Sequence, residues 1–64
     1  MSRYEDLAER LEQIVEDLDD ASFDLLQRAV ADGATERPVA DRTLTQARRA
    51  VEKAAVLLRG LGPD

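Results

Sequence analysis

The sequence predicts an all-α protein, an antiparallel helical hairpin that assembles into a dimeric or higher helical bundle. Apolar residues recur three and four positions apart in both halves of the chain, which is the spacing of one helix face. Gly33 and Pro38 interrupt that spacing near the middle. The chain has 64 residues, no cysteine and no histidine. Because neither a disulfide nor the usual zinc site can reinforce so small a core, we expect assembly to do so.

The first helix is predicted over residues 3–32. Ser2-Arg3-Tyr4-Glu5 fits a capping box, in which the serine accepts from a helix amide and the glutamate reaches back to the cap amide. The apolar row that follows is broad enough for a buried face or a coiled-coil contact. It consists of Tyr4, Leu7, Leu11, Ile14 and Leu18.

The apolar spacing slips after Leu18. Continuing it brings Arg28 into the row, whereas a second stripe of Phe23, Leu26 and Val30 fits better. Residues 19–22 are therefore either a stutter in one helix or a turn in which Asp20 or Ser22 caps a new helix. Of the two, we predict a continuous but kinked helix.

A turn is predicted over residues 33–37, with Gly33 as the left-handed residue that ends the first helix. Either Thr35 caps the second helix, with Pro38 in its first turn, or Asp41 caps a helix that starts slightly later. The second helix is predicted over residues 38–60, which completes a single domain of residues 1–64. Its apolar row is Ala40, Leu44, Ala47, Val51, Ala54, Leu58 and Leu61.

Charge divides unevenly between the two halves. Residues 1–32 hold ten acidic side chains and three arginines, and residues 33–64 hold four acidic and six basic ones. Either both helices simply have solvated charged faces, or an acidic helix pairs with a basic one, which would fix orientation more than stability. The acidic half would repel nucleic acid, so we expect no direct nucleic-acid partner.

The residues that catalysis needs are missing or solvated. Nucleophilic catalysis needs an activated Ser, Cys or Lys beside a base, but Ser2 and Ser22 resemble caps and Lys53 lies on a charged helix surface. The many carboxylates occupy wet faces rather than a desolvated cleft. We therefore expect no enzyme activity, no cofactor, no metal site and no small-molecule ligand.

The apolar segments are too short for a membrane helix. The longest apolar run, residues 54–58, has five residues, and the N-terminus leads directly into a charged helix. A membrane span needs about 18 or more apolar residues. The sequence therefore predicts a cytoplasmic protein without a membrane partner.

The pair Tyr4-Glu5 and the stretch Leu11-Glu12-Gln13-Ile14-Val15 with Leu18-Asp19 resemble the N-terminal helix of the exodeoxyribonuclease VII small subunit family. Gly33 matches that family's mid-chain glycine, and residues 44–51 resemble its closing helix. The resemblance covers most of the chain. It implies a non-catalytic hairpin that supports a large nuclease subunit, with no active-site residues of its own.

These observations predict a non-catalytic self-association or adaptor protein that acts as a small accessory subunit of a larger complex. Its partners would be copies of itself and a larger protein subunit. One alternative is an accessory protein like the exodeoxyribonuclease VII small subunit. Another is a small DNA-binding regulator, which requires an exposed basic patch of Arg42, Arg48, Arg49 and Lys53, clear of the acidic helix. The predicted interface residues, with Leu11 and Leu18 buried in it, are Leu7, Leu11, Ile14, Leu18, Leu44, Val51 and Leu58.

Overall fold

The computed structural model describes residues 2–62, which form two helices joined by a short connection. Helix α1 runs from Arg3 to Ala31 and helix α2 from Val39 to Arg59. The two helices pack against each other, and the described residues contain no strand. The all-α hairpin is therefore confirmed, with each helix ending within one residue of its predicted bounds.

The start of α1 follows from its capping residue. The Ser2 hydroxyl accepts hydrogen bonds from the backbone amides of Tyr4, at 3.1 Å, and Glu5, at 3.5 Å. Two of the four amides that a helix N-terminus leaves without a helical partner are thereby satisfied. Glu5 and Asp6 place negative charge in the first turn, where the helix dipole favours it.

Helix α1 passes through residues 19–22 without a turn. Phe23 follows Leu18 by five residues of continuous helix. It therefore lies about 140° around the helix axis from Leu18, on a different face. Phe23 and Val30 are exposed, at 61% and 73% of their surface, and only Leu26 of the predicted second stripe is half-buried. The stripe of Phe23, Leu26 and Val30 as a core element is therefore wrong.

The end of α1 is a Schellman motif built on Gly33. Gly33 has a φ of +82°, its amide donates to the Val30 carbonyl at 3.0 Å, and the Ala34 amide donates to the Ala29 carbonyl at 2.9 Å. A left-handed residue is needed at this position, and glycine adopts it without a Cβ clash. The predicted role of Gly33 is confirmed.

Helix α2 begins differently from either predicted start. Pro38 is the N-cap residue, with no side-chain capping bond, and Val39 is the first helical residue. Pro38 has a φ of −59° and an extended ψ of 146°, so its ring and lack of an amide hydrogen suit a helix start. Neither Thr35 nor Asp41 is the cap, since Asp41 lies in the first turn and its amide donates to the Pro38 carbonyl at 3.0 Å.

The hairpin is a single layer with a thin core. Its Cα atoms extend over 50 × 16 × 8 Å, so the shortest dimension is close to that of one helix. Among the described residues the buried apolar side chains are Ala8, Val15 and Ala55. Since stable domains bury side chains between at least two packed layers, most of the apolar surface of this hairpin is only partly covered.

Candidate interaction surface

A partly covered apolar face extends along both helices. An open groove on this side is lined by residues of both helices, among them Leu25 and Leu44. Residues seven apart return to nearly the same side of a helix. The residues spaced by seven from Leu25 on α1 and from Leu44 on α2 therefore lie on the same side as this groove. We call this surface the apolar face; its members are Leu7, Leu11, Ile14, Leu18, Leu25, Leu44, Ala47, Val51, Ala54 and Leu58.

All seven predicted interface residues belong to the apolar face. Six of them are half-buried within one hairpin, and Ile14 is 43% exposed. Leu11 and Leu18, which we predicted to be buried, are among the six that the hairpin covers only in part. Their remaining surface is open to a further layer of helices.

The opposite side of the hairpin is charged, and we call it the ion-pair face. Arg48 of α2 donates from Nε to Asp19 Oδ1 at 2.5 Å and from Nη2 to Asp19 Oδ2 at 3.3 Å. Arg48 also pairs with Glu52 one turn along α2. Near the open end of the hairpin, Arg59 pairs with Glu12 of α1. These contacts show that the acidic helix and the basic helix pair within one chain. This was one of the two interpretations of the uneven charge distribution.

The ion pairs raise the pKa of both arginines. The main cause at Arg48 is the hydrogen bond that its guanidinium donates to Asp19, and the main cause at Arg59 is the hydrogen bond that its guanidinium donates to Glu12. A basic group with a raised pKa stabilises the folded state fully below its ordinary pKa and loses that effect only as the pH rises past the raised value. Both arginines therefore stay charged through the neutral range.

The four basic residues proposed as a DNA-binding patch do not all lie clear of α1. Arg48 is half-buried and bound to Asp19 of the acidic helix, whereas Arg42, Arg49 and Lys53 are exposed. The alternative of a DNA-binding regulator requires all four basic residues to be exposed and clear of the acidic helix, and Arg48 does not meet this requirement.

A second groove, at the start of α2, is mixed in charge. It encloses about 580 Å³ and is lined by Arg37, Arg42, Arg49 and Asp41, among others. Asp41 is only 7% exposed, and its carboxylate lies 3.6 Å from the Arg37 guanidinium. The sequence indicated Asp41 as a possible helix cap. It did not indicate that Asp41 is buried or that its carboxylate pairs with the arginine one turn earlier.

Several large apolar side chains are exposed outside the predicted interface. Val56 lines a groove of the ion-pair face beside Glu12 and Arg59 and is 69% exposed. Leu57 is 63% exposed and follows Val56 on α2. Val56 lies outside the predicted apolar row of α2 and Leu57 lies beside that row, so neither was among the predicted interface residues.

Residues 2–62 contain no group of three carboxylate, histidine or cysteine side chains placed to hold a metal ion. Within the same range, neither helix is long and apolar enough to cross a membrane.

Comparison with known proteins yields no relative. No family model matches the sequence, and no curated protein or solved structure matches the chain.

Proposed function

We propose that the chain is a non-catalytic helical adaptor, which self-associates through the apolar face and serves as a small accessory subunit of a larger complex. The observation that carries the proposal is the apolar face of a single-layer hairpin, which the hairpin covers only in part. Burying apolar surface contributes roughly 25 cal/mol per Å², so a second layer of helices on this face adds the core that the hairpin lacks. The ion-pair face then remains in water.

The apolar face lies on a broad side of the hairpin. The two longer dimensions of the hairpin, 50 and 16 Å, outline a side of about 800 Å², and each partner of a specific interface typically buries accessible surface of that order. A small accessory subunit needs no active site for this role. Its contribution is a rigid, self-complementary or partner-complementary helix surface.

The proposal is tested by matched substitutions of two exposed apolar residues. Ile14, 43% exposed, lies on the apolar face, whereas Phe23, 61% exposed, lies away from it. Ile14→Gln should reduce the mass measured by light scattering and lower the thermal midpoint measured by circular dichroism. Phe23→Gln should change neither. Equal effects of the two substitutions, or no effect of Ile14→Gln, would contradict the assignment of the apolar face as the interface.

Stronger substitutions test whether folding and assembly are one event. Leu11→Ala removes a side chain whose burial in the assembly is worth about 2–5 kcal/mol, which is comparable to the whole stability of so small a core. Val51→Asp places a charge on the same face. Each should abolish helicity and association together, while Glu9→Ala and Glu16→Ala should change stability by only about a few tenths of a kcal/mol.

An accessory role like that of the exodeoxyribonuclease VII small subunit is the alternative within this function. The two-helix hairpin is the architecture that the resemblance of residues 4–19 and 44–51 implies. Co-expression with a large exodeoxyribonuclease VII subunit, followed by size-exclusion chromatography, tests it directly. Elution as one complex, lost in Leu11→Ala and kept in Glu9→Ala, would support this alternative, and separate elution would exclude it.

A further inference from the structure

We infer that a second copy of this chain covers the apolar face in one orientation, with α1 antiparallel to α1, α2 antiparallel to α2, and the two connections at opposite ends. This inference rests on the proposed function and extends it by naming the partner and its orientation. It follows from the charges and the exposed apolar residues at the two edges of the apolar face.

Two single-layer hairpins can meet face to face about a two-fold axis in two ways. An axis parallel to the helices places α1 of one copy on α2 of the other, with both connections at the same end. An axis perpendicular to the helices, within the plane of the interface, places each helix on its own counterpart. The residues at the edges of the face distinguish the two arrangements.

The α1 edge carries charges that complement themselves when the helix is reversed. In the register that we infer, Leu7 of α1 lies opposite Leu25 of the second copy. In that register Arg10, which precedes Leu11, lies beside Asp24, which precedes Leu25, and symmetry makes this pair twice. Arg10 and Asp24 are both exposed in the single hairpin. Opposite charges at such flanking positions select orientation in helix pairs.

The α2 edge is uncharged and partly apolar. Thr43, Ala50 and Leu57 are exposed there at seven-residue spacing, and Leu57 is 63% exposed. When α2 packs on α2, this row meets the same row of the second copy and Leu57 loses its contact with water. In the other arrangement, Arg10 and Asp24 would instead lie beside the uncharged row, where neither has an ion-pair partner.

The acidic excess of α1 does not oppose its pairing with a second α1. Glu12 and Asp19 point to the ion-pair face, where they bind Arg59 and Arg48. Glu9 and Glu16 share that half of the helix by their three- and four-residue spacing from Glu12, and Glu5 shares it by its seven-residue spacing. At physiological salt, exposed charges further apart than about 8 Å are largely screened. Asp17 lies near the two-fold axis, where it forms a like-charge contact with Asp17 of the second copy.

A distance between the two connections separates the arrangements. The chain contains no cysteine, so Thr35→Cys in the exposed connection gives one site for a spin label in each copy. Pulsed dipolar spectroscopy on the purified full chain should give a label separation close to the 50 Å length of the hairpin. The arrangement with both connections at one end predicts a separation on the order of the 10 Å between packed helices, plus the label arms.

Charge reversal tests the Arg10 and Asp24 contact independently. Arg10→Glu and Asp24→Arg should each weaken the dimer on the order of tenfold in dissociation constant, because each creates two like-charge contacts. The double variant should recover the original constant. Arg49→Glu, a reversal outside the apolar face, should leave it unchanged. Asp17→Asn should tighten the dimer several-fold by removing the like-charge contact.

Each outcome bears on a definite part of the inference. A mass of two chains with a long label distance and recovery in the double variant supports it. A short distance, or a double variant no better than the single ones, overturns the orientation while self-association stands. A measured mass of one chain, or of more than two chains, contradicts the inference that one second copy covers the apolar face. The Ile14 and Phe23 comparison remains the separate test of whether the apolar face contacts anything.

Discussion

Arg48 of α2 binds Asp19 of α1 through two guanidinium nitrogens, at 2.5 and 3.3 Å, across a sequence separation of 29 residues. This contact sets the two helices in register on the ion-pair face and turns the apolar face away from it. Arg59 and Glu12 repeat the arrangement nearer the open end. The two ion pairs therefore orient the hairpin, while its apolar residues supply the surface for assembly.

Arg48→Ala and Asp19→Ala should each lower the thermal midpoint slightly in low salt. The pair is partly solvated, so its contribution is modest and is screened as salt is added. Both effects should disappear in about 1 M NaCl, where the screening length is roughly 3 Å. Thermal melts followed by circular dichroism measure this, with Arg49→Ala as the neighbouring exposed control. A double variant that loses the sum of the two single effects would show that the residues act independently.

Gly33→Ala should destabilise the hairpin by about 1–2 kcal/mol. Nothing lies within 4 Å of the position that a new Cβ would take, so the cost arises from the left-handed backbone alone. Gly33→Asn should cost less, because asparagine tolerates this conformation better. Urea melts measure the differences.

Asp32→Ala is the matched control for Gly33. Asp32 precedes Gly33 and has an ordinary φ of −84°, so alanine fits there without strain. A loss at Asp32→Ala as large as that at Gly33→Ala would remove the conformational explanation.

Ser2→Ala should cost about 1 kcal/mol, the usual value of an N-cap side chain. The hydroxyl accepts from the amides of Tyr4 and Glu5, and alanine offers no acceptor. Ser2→Asp should retain the stability, since its carboxylate can accept the same bonds and suits the helix dipole. Helicity and the melting midpoint by circular dichroism measure both variants.

Binding to a generic DNA duplex should be undetectable at micromolar protein and physiological salt. Ten acidic side chains in residues 1–32 oppose the phosphates, and Arg48 is held by Asp19 on α1. Fluorescence anisotropy with a labelled duplex measures this. Tight binding that falls steeply with salt would instead favour the DNA-binding regulator.

The sequence by itself determined where the helices lie and how α1 ends. Those features depend on residues close together in the chain: Ser2 satisfies amides two and three residues on, and Gly33 adopts a backbone conformation that other residues avoid. The apolar spacing likewise identified the residues that share a face of each helix, because helical periodicity alone decides this.

Only the tertiary structure decided which residues meet across the hairpin and which stay in water. The partners of Arg48 and Arg59 depend on the rotation and register of α2 against α1, and many acidic side chains in α1 are chemically equivalent choices. Phe23 and Val30 looked like core residues but are exposed, because the rotation of α1 against α2 turns Ala8 and Val15 into the contact and leaves these two side chains outside it. Asp41 looked like a cap but is a buried acid, because Pro38 starts α2 three residues earlier and Arg37 lies within 3.6 Å of the carboxylate. Each of these outcomes depends on the packing of one helix against another or on where a helix starts, which local spacing does not specify.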